Sequence, residues 1–264
     1  MDILRVEGIQ AGYGNEVIIH DISFSMPPGT ILGIIGPNGA GKTTLFRVIS
    51  KLLKPRRGRV LFRGADLSGM SYRVFARHVS VIPQLRTLPP PFTVEEFVSL
   101  ARYPHGTRLS TMNTEDKRIV SESLGLLNLE GFRTRRVNAL SGGELQRVYL
   151  AQGLAQSPEL ILMDEPTTHL DITHKIRILD VISSLSRDTG LSALIILHDL
   201  NLTAAYCDQV IMIRDGGLFA RGTPAEILTE DIITSVYETP VRVDVDPATK
   251  RPGIFFLPRA YHGK

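Results

Sequence analysis

Five short runs of apolar residues predict strands that are buried on both faces. Each run has four or five residues and does not alternate between apolar and polar positions, which is typical of strands in a parallel sheet covered on both sides. The runs are residues 31–35, 79–82, 160–163, 193–197 and 210–213. Amphipathic helical patterns over residues 42–53 and 172–185 lie between them. This alternation predicts an α/β fold with a mainly parallel sheet and right-handed crossovers.

The middle and the two ends of the chain follow other patterns. Helical patterns over residues 95–103, 115–127 and 143–156 follow one another with little strand signal, so we expect an all-helical segment inserted between two halves of the sheet. Short strand patterns at residues 3–6, 17–19 and 59–63 predict an N-terminal antiparallel sheet. Residues 242–245 and 254–257 predict two short strands, with Asp246 and Pro247 in the turn that joins them.

Composition narrows the class of protein. The 264 residues are 43% hydrophobic and 22% charged, which is the balance of a packed globular protein. The single cysteine, Cys207, excludes a disulfide framework. No apolar run approaches the roughly 20 residues that cross a bilayer, and the N-terminus lacks the pattern of a signal peptide. We therefore expect a cytoplasmic protein.

The net charge of +3 is mild, and two short arginine clusters contribute to it. Arg56, Arg57 and Arg59 form the first cluster. Arg133, Arg135 and Arg136 form the second. They could contact nucleic acid or lipid head groups, but no aromatic residues are interleaved with them, which favours a solvated face. We expect no nucleic-acid partner.

Residues 36–44, called the phosphate loop below, match the pattern GxxxxGK[ST]. They are Gly36, Pro37, Asn38, Gly39, Ala40, Gly41, Lys42, Thr43 and Thr44. The glycines let consecutive backbone N–H groups point into one concavity, and the following helix adds its positive N-terminal end. We expect Lys42 to reach the β and γ phosphates of a nucleotide and the Thr43 hydroxyl to bind Mg²⁺.

A second buried strand, at residues 160–163, ends in two acids, Asp164 and Glu165. Open α/β sheets bind their ligands at the carboxyl ends of the strands, and adjacent acids there predict a counter-ion. We expect Asp164 to bind the Mg²⁺ ion and Glu165, which points the other way, to polarise the water that attacks the γ phosphate.

Residues 140–144 (Leu-Ser-Gly-Gly-Glu), called the signature segment below, open a helix. Ser141 and Glu144 have the spacing of a capping box, but a cap does not require the pair Gly142 and Gly143. The glycines leave backbone N–H groups accessible at a helix N-terminus, which is a second anion site. Two such sites in one chain suggest a head-to-tail dimer that shares nucleotide.

These motifs, in this order, resemble the ATP-binding cassette (ABC) ATPases over roughly residues 1–240. The resemblance implies a P-loop NTPase (RecA-like) core, and an ATP- and Mg²⁺-dependent hydrolase. It identifies Gln84 with the catalytic, Mg²⁺-binding glutamine of the Q-loop, His198 with the switch histidine that contacts the γ phosphate, and Asp171 with the nucleotide-binding D-loop aspartate. It identifies Tyr13 with the aromatic that stacks on adenine, although a core aromatic is the alternative. Thr168 stands where serine is more usual.

Asp171 is also expected to N-cap the helix that starts at Ile172. His169 and His174 flank it, but no further ligand is apparent, so we expect no metal site there. The resemblance implies an ATPase domain over residues 1–240, with a helical subdomain at about 88–157, and a C-terminal extension over residues 241–264.

Residues 93–104 and 237–243, and the tail to Pro258, resemble ATPases of importers for ferric siderophores, haem and cobalamin. This resemblance implies a homodimer on the inner face of the membrane, two permease subunits and an extracytoplasmic binding protein. The residues from Leu85 to Phe92 are expected to line the groove that receives a permease helix. The alternatives are the ATPase of a zinc or manganese importer or of an exporter, and a soluble ABC ATPase acting on nucleic acid or ribosomes.

Overall fold

The computed structural model of the chain describes residues 1–84, 91–106, 112–168 and 170–257. Within it the chain divides into two compact units. The first unit contains Met1–Ser68 and Leu194–Lys264, and the second contains Gly69–Ala193. In the described ranges no helix is long and apolar enough to cross a membrane.

The first unit contains an antiparallel sheet built around its first strand. Its strands are β1 (Leu4–Ala11), β2 (Ile19–Met26), β4 (Arg57–Phe62) and β5 (Ala65–Asp66). The sheet order is β2-β1-β4-β5, with Val6 opposite Phe24 on one side and Val60 on the other. The predicted N-terminal antiparallel sheet is therefore confirmed.

The two long strands of this sheet extend well beyond the predicted fragments, residues 3–6 and 17–19. The ladder between β1 and β2 shifts register after Val6, and Gly8 there has a φ of +56°. This bulge interrupts the alternation of apolar and polar positions, so the pattern beyond it is not that of a single strand. The second register shift, between Ile9 and Ala11 of β1, interrupts the alternation along β2 in the same way.

The first unit also contains the strand that leads into the phosphate loop and two strands beside it. These are β3 (Ile31–Ile35), β9 (Gln209–Arg214) and β10 (Gly217–Gly222). Strand β3 pairs in parallel with β9, and β9 pairs with β10 in antiparallel fashion. All five residues of β3 are buried, as its uninterrupted apolar run predicted. Strand β8 (Ser192–Ile196), which is also buried throughout, contains the boundary between the units.

The helices of the first unit are α1 (Lys42–Ile49), α7 (Leu200–Tyr206), α8 (Pro224–Ile227) and α9 (Glu230–Tyr237). Helix α1 is shorter than the predicted pattern over residues 42–53, which is a correction. Lys51 takes a left-handed φ of +61°, and the N–H groups of Leu52 and Leu53 both donate to the carbonyl of Arg47. The chain therefore leaves the helix axis although its apolar pattern continues.

The second unit combines a parallel strand pair with helices. It contains α2 (Tyr72–His78), β6 (Val79–Ile82), α3 (Val94–Ser99), α4 (Thr114–Leu126), α5 (Gly142–Ala155), β7 (Leu160–Asp164) and α6 (Ile172–Thr189). Strands β6 and β7 are parallel neighbours, with Val79 opposite Leu160 and Ile82 opposite Met163. In the described residues between them, α3, α4 and α5 confirm the helical segment. Single-turn 3-10 helices add Leu100–Arg102, Glu130–Phe132 and Val137–Ala139.

The predicted tail strands form a hairpin of β11 (Val241–Val245) and β12 (Pro252–Phe256). Asp246 opens the turn, because its carboxylate accepts from the N–H groups of Ala248 and Thr249. The hairpin lies against α7, where Asn201 bonds both the N–H and the carbonyl of Ile254. The turn and the strand pairing agree with the sequence analysis.

Candidate functional site

The phosphate loop leaves the carboxyl end of β3 and enters α1. Gly36, Gly39 and Gly41 have φ values of +144°, +81° and +100°, which side chains rarely adopt. A Cβ on Gly36 would lie 2.1 Å from the carbonyl oxygen of Ile213, and one on Gly41 would lie 2.5 Å from Cγ2 of Ile19. Glycine is therefore required at both positions.

Lys42 lies across this loop. Its Nζ donates 2.8 Å hydrogen bonds to the carbonyl oxygens of Gly36 and Pro37, and the side chain is buried. The ammonium is thereby held beside the N-terminus of α1, where the helix dipole also favours an anion. The loop residues differ in exposure: Asn38 and Gly39 are exposed, Pro37 and Thr43 are half-buried, and Ala40 and Thr44 are buried.

His198 lies in the same unit, two residues beyond the end of β8, and its side chain is exposed. The N–H of Leu197 donates to the carbonyl of Ile34 at 3.2 Å. The carboxyl end of β8 is therefore beside that of β3, where the phosphate loop starts. This placement puts His198 at the edge of the sheet that the sequence predicted.

Tyr13 lies in a turn after β1 and is 43% exposed, which rules out the alternative that it is a core aromatic. Its hydroxyl accepts a 2.8 Å hydrogen bond from Nη1 of Arg47, on α1. The Arg47 guanidinium carbon is 5.7 Å from the centroid of the tyrosine ring. Arg47 thus connects the Tyr13 ring with α1, the helix that begins at Lys42.

The acid-ended strand β7 lies in the second unit. All five of its residues are buried, including Asp164 at 7% exposure. Glu165, immediately after it, is half-buried and has a left-handed φ of +53°. Its Oε2 accepts a 2.8 Å hydrogen bond from Nε2 of Gln84 and a 3.2 Å hydrogen bond from Oγ1 of Thr168. Two donors therefore hold this carboxylate in one orientation.

The signature segment forms the N-terminus of α5 as a complete capping box. The N–H of Ser141 donates to Oε2 of Glu144 at 2.7 Å, and the N–H of Glu144 donates to Oγ of Ser141 at 3.4 Å. The bond from the Ser141 backbone is the main cause that holds the pKa of Glu144 below its usual value. The predicted cap is confirmed, and Gly142 and Gly143 occupy the first helical turn behind it.

Asp171 caps α6 as predicted, since its Oδ1 accepts from the N–H of His174 at 2.9 Å. The ring Nδ1 of His174 lies 2.8 Å from the same oxygen. The N–H bond from His174 is the largest cause that lowers the pKa of Asp171. The other side of the ring faces Gly143, where an added Cβ would lie 3.2 Å from Cδ2 of His174. His174 thus connects Asp171 with the signature segment.

The predicted magnesium ligands are Thr43, Gln84 and Asp164. A hydroxyl, an amide and a carboxylate supply only oxygen ligands, which is the donor set that Mg²⁺ prefers, so these residue types fit the ion. In the described part of the chain no group of three or more His, Cys, Asp or Glu side chains has the placement of a metal centre. His169 lies outside the described residues.

The sequence profile described as "ABC transporter" matches residues 19–168. The chain belongs to the ABC transporter family. The match covers the phosphate loop, Gln84, the signature segment and Glu165. As a member of this family the chain is an ATPase that binds ATP.

Two relatives match nearly the whole chain. It is 36% identical over 252 residues to the iron(3+)-hydroxamate import ATP-binding protein FhuC of Bacillus subtilis, covering 96% of this chain and 94% of that one. It is 38% identical over 252 residues to the achromobactin transport ATP-binding protein CbrD of Dickeya dadantii, with the same 96% and 94% coverage. The solved structure of a metal-chelate type ABC transporter, in an inward-facing conformation, matches with a TM-score of 0.84. That match covers 98% of each chain at 22% identity and agrees in fold.

Three contacts of this ABC ATPase were not predicted from its sequence. Thr168 was noted only as a departure from serine, yet its spacing from Glu165 is that of a turn in which side chains meet. His174 was considered as a metal ligand instead of a partner of Asp171. Tyr237, the last residue of α9, interacts with the backbone of Gly36, and no pattern in the sequence connects these two positions.

Proposed function

We propose that this chain is the ATP-hydrolysing subunit of an importer that carries a metal chelate, foremost a ferric siderophore, with haem and cobalamin as related cargoes. The observation that supports hydrolysis is the Glu165 carboxylate, which Gln84 and Thr168 orient at the end of β7. Nearly complete alignment with the iron(3+)-hydroxamate import and achromobactin transport ATP-binding proteins supports the class of cargo. The cargo itself would not touch the ATPase.

In this proposal the phosphate loop binds the triphosphate of ATP. The backbone N–H groups from Gly36 to Thr44 surround the phosphates, and Lys42 leaves the carbonyls of Gly36 and Pro37 to contact the β and γ groups. Tyr13 stacks on the adenine. His198 contacts the γ phosphate from the end of β8, whose neighbour β3 leads into the loop.

We propose that Thr43, Gln84 and Asp164 hold Mg²⁺, which neutralises charge on the β and γ oxygens when it is bound. Glu165 accepts a proton from the water that attacks the γ phosphorus in line. Gln84 contributes twice in this proposal, because its amide N–H donates to Glu165 and its amide oxygen is a proposed ligand of the ion. Positioning and charge stabilisation carry the catalysis.

The second anion site requires a second chain. We propose a homodimer in which Ser141, Gly142 and Gly143 of one subunit contact the ATP held by the phosphate loop of the other, with Asp171 at the same interface. Binding of ATP closes this dimer, and loss of the γ phosphate releases it. Each subunit would comprise an ATPase domain over residues 1–240, with a helical subdomain at about 88–157, and an extension over 241–264.

The remaining partners are integral membrane permease subunits and, indirectly, an extracytoplasmic substrate-binding protein. We propose that the ATPase acts on the cytoplasmic face of the membrane. Gln84 precedes the expected permease groove at residues 85–92, of which 85–90 lie outside the described part of the chain. A change at Gln84 on hydrolysis would therefore be transmitted to the adjoining segment.

A deletion strain of the host tests this proposal. Uptake of labelled ferric siderophore, haem and cobalamin is measured in the deletion, and again after complementation. We expect loss of ferric siderophore uptake, restoration by the wild-type gene and by Lys54→Ala, and no restoration by Lys42→Ala. Lys54 is an exposed lysine outside the phosphate loop, so it controls for loss of charge. Undiminished uptake of all three chelates would contradict the proposed cargo and favour a zinc or manganese importer or an exporter.

A further inference from the structure

We propose that Arg56 is a positioning residue that holds the turn of residues 13–16 in the conformation that accepts the nucleotide base. This turn, called the Tyr13 turn below, carries the aromatic ring to which base stacking is assigned above, so the inference rests on the proposed function. Arg47 assists from α1. Neither arginine belongs to the phosphate loop or the signature segment.

The Arg56 guanidinium contacts three successive carbonyl groups of the Tyr13 turn. Its Nη2 donates to the oxygens of Gly14 and Glu16, at 2.7 Å and 2.8 Å, and its Nη1 donates to the oxygen of Asn15 at 3.3 Å. The arginine is itself anchored, because its backbone N–H donates to the carbonyl of Gln10 at 2.7 Å. The turn is therefore tied to the edge of the β1–β4 ladder.

The Tyr13 turn has little else to fix it. Tyr13, Gly14, Asn15 and Glu16 are all exposed, and an added Cβ on Gly14 would meet no atom within 4 Å. One backbone hydrogen bond closes the turn, from the N–H of Glu16 to the carbonyl of Tyr13 at 2.9 Å. An exposed glycine-containing turn samples many conformations unless contacts select one of them.

Arginine suits this role better than lysine. A guanidinium presents several N–H donors in a rigid plane, so it can serve neighbouring carbonyls at once, whereas an ammonium is a compact point charge. The second contact, from Arg47 to the Tyr13 hydroxyl, fixes the ring itself and relates it to the helix that follows Lys42. Together the two arginines set the distance between the base-stacking ring and the phosphate loop.

This arrangement acts on the base side of the nucleotide alone. If Arg56 is removed, the Tyr13 turn spends less time in the binding conformation. The apparent affinity for the nucleotide then falls in proportion to the population of that conformation. A ligand that consists only of phosphates does not touch the turn, so its affinity is unchanged. If Arg56 had a general structural role instead, its removal would weaken the binding of both kinds of ligand.

The experiment measures binding of ADP and of inorganic pyrophosphate to the full chain by calorimetry, since neither ligand has a γ phosphate to be hydrolysed. Arg56→Ala is expected to weaken ADP binding about fivefold and to leave pyrophosphate binding unchanged. Tyr13→Ala is expected to weaken ADP binding about tenfold, the order of one base–aromatic stack. Arg56→Ala combined with Tyr13→Ala should weaken it no further than Tyr13→Ala, because the two act through one contact.

Two variants serve as controls. Arg57→Ala removes the same charge one residue further along the chain and should leave the affinity for ADP unchanged. Tyr13→Phe keeps the ring but loses the hydroxyl that Arg47 contacts, so a loss of about twofold is expected. Arg56→Lys should restore less than half of the loss in Arg56→Ala, because one ammonium cannot serve three carbonyls in a plane.

Equal weakening of ADP and pyrophosphate by Arg56→Ala would overturn the positioning role, and so would unchanged ADP binding. Additive losses in the double variant would overturn action through Tyr13. Failure of the proposed function gives a different result, because Lys42→Ala then leaves the binding of ADP and of pyrophosphate unchanged. The role of Arg56 is still tested in that case, by comparing ADP binding to Arg56→Ala with ADP binding to Arg57→Ala.

Discussion

The side-chain amide of Gln84 donates a 2.8 Å hydrogen bond to the carboxylate of Glu165. The register of two strands brings these residues together. Strands β6 and β7 are parallel, Ile82 lies opposite Met163, and Gln84 and Glu165 each follow two residues later. Parallel strands present their carboxyl ends at one edge, so side chains at equal distance beyond the last paired residues become neighbours. A pairing of two motifs 81 residues apart thus follows from strand register.

Glu165→Gln is expected to abolish turnover while leaving ATP binding intact. The amide has nearly the shape of the carboxylate but cannot take the proton of the attacking water, and general-base catalysis contributes about 10²–10⁴ in rate. The measurements are phosphate release and the oligomeric state with ATP, for which we expect a persistent dimer. Asp180→Asn, which neutralises an exposed acid on α6, is the control and should keep normal turnover. Near-normal phosphate release by Glu165→Gln would contradict the assignment of the base.

Thr168→Val is expected to lower kcat about five- to tenfold with little change in KM for ATP. Valine has the shape of threonine but removes the 3.2 Å hydrogen bond to Glu165, and a hydrogen bond to a charged group is worth about 1.5–3 kcal/mol at most. The bond from Gln84 remains and limits the loss. Thr168→Ser keeps the hydroxyl and should retain wild-type kcat. Equal kcat values for the valine and serine variants would exclude a role for the Thr168 hydroxyl.

Local and distant contacts differ in how far the sequence could predict them. The caps of Ser141 and Asp171 were predictable because each joins residues three apart, a spacing that a pattern shows directly. The apolar runs predicted buried strands because burial is a property of each strand alone. Which strands are neighbours, and hence the Gln84 to Glu165 bond, depends on sheet order. The contact of Arg56 with the Tyr13 turn spans about 40 residues and has no local signal.

Ser141→Arg is expected to abolish hydrolysis while each chain still binds one ATP. A long cation at the start of α5 obstructs the site that the second subunit would need, whereas the phosphate loop is untouched. The variant also loses a helix cap, which costs about 1 kcal/mol of stability. Ser71→Arg removes the equivalent cap of α2, where Ser71 accepts from the N–H of Val74, and is the matched control with normal hydrolysis expected. Loss of ATP binding by Ser141→Arg would contradict a shared site.

Alkaline pH is expected to destabilise the protein partly through Tyr237. Burial raises the pKa of Tyr237 to about 12, above the value of about 10 for an exposed tyrosine, although the neighbouring backbone of Gly36 acts to lower it. Because the folded-state pKa is raised, the contribution to stability is complete below pH about 10 and is lost as the pH rises towards 12. Chemical unfolding of Tyr237→Phe and wild type at pH 8, 10 and 11.5 measures this difference. The free energy of unfolding should fall less steeply with pH in Tyr237→Phe. Parallel pH profiles of wild type and Tyr237→Phe would show that ionisation of Tyr237 is not linked to folding. Tyr103→Phe, which alters an exposed tyrosine, is the control, and its profile should be parallel to that of the wild type.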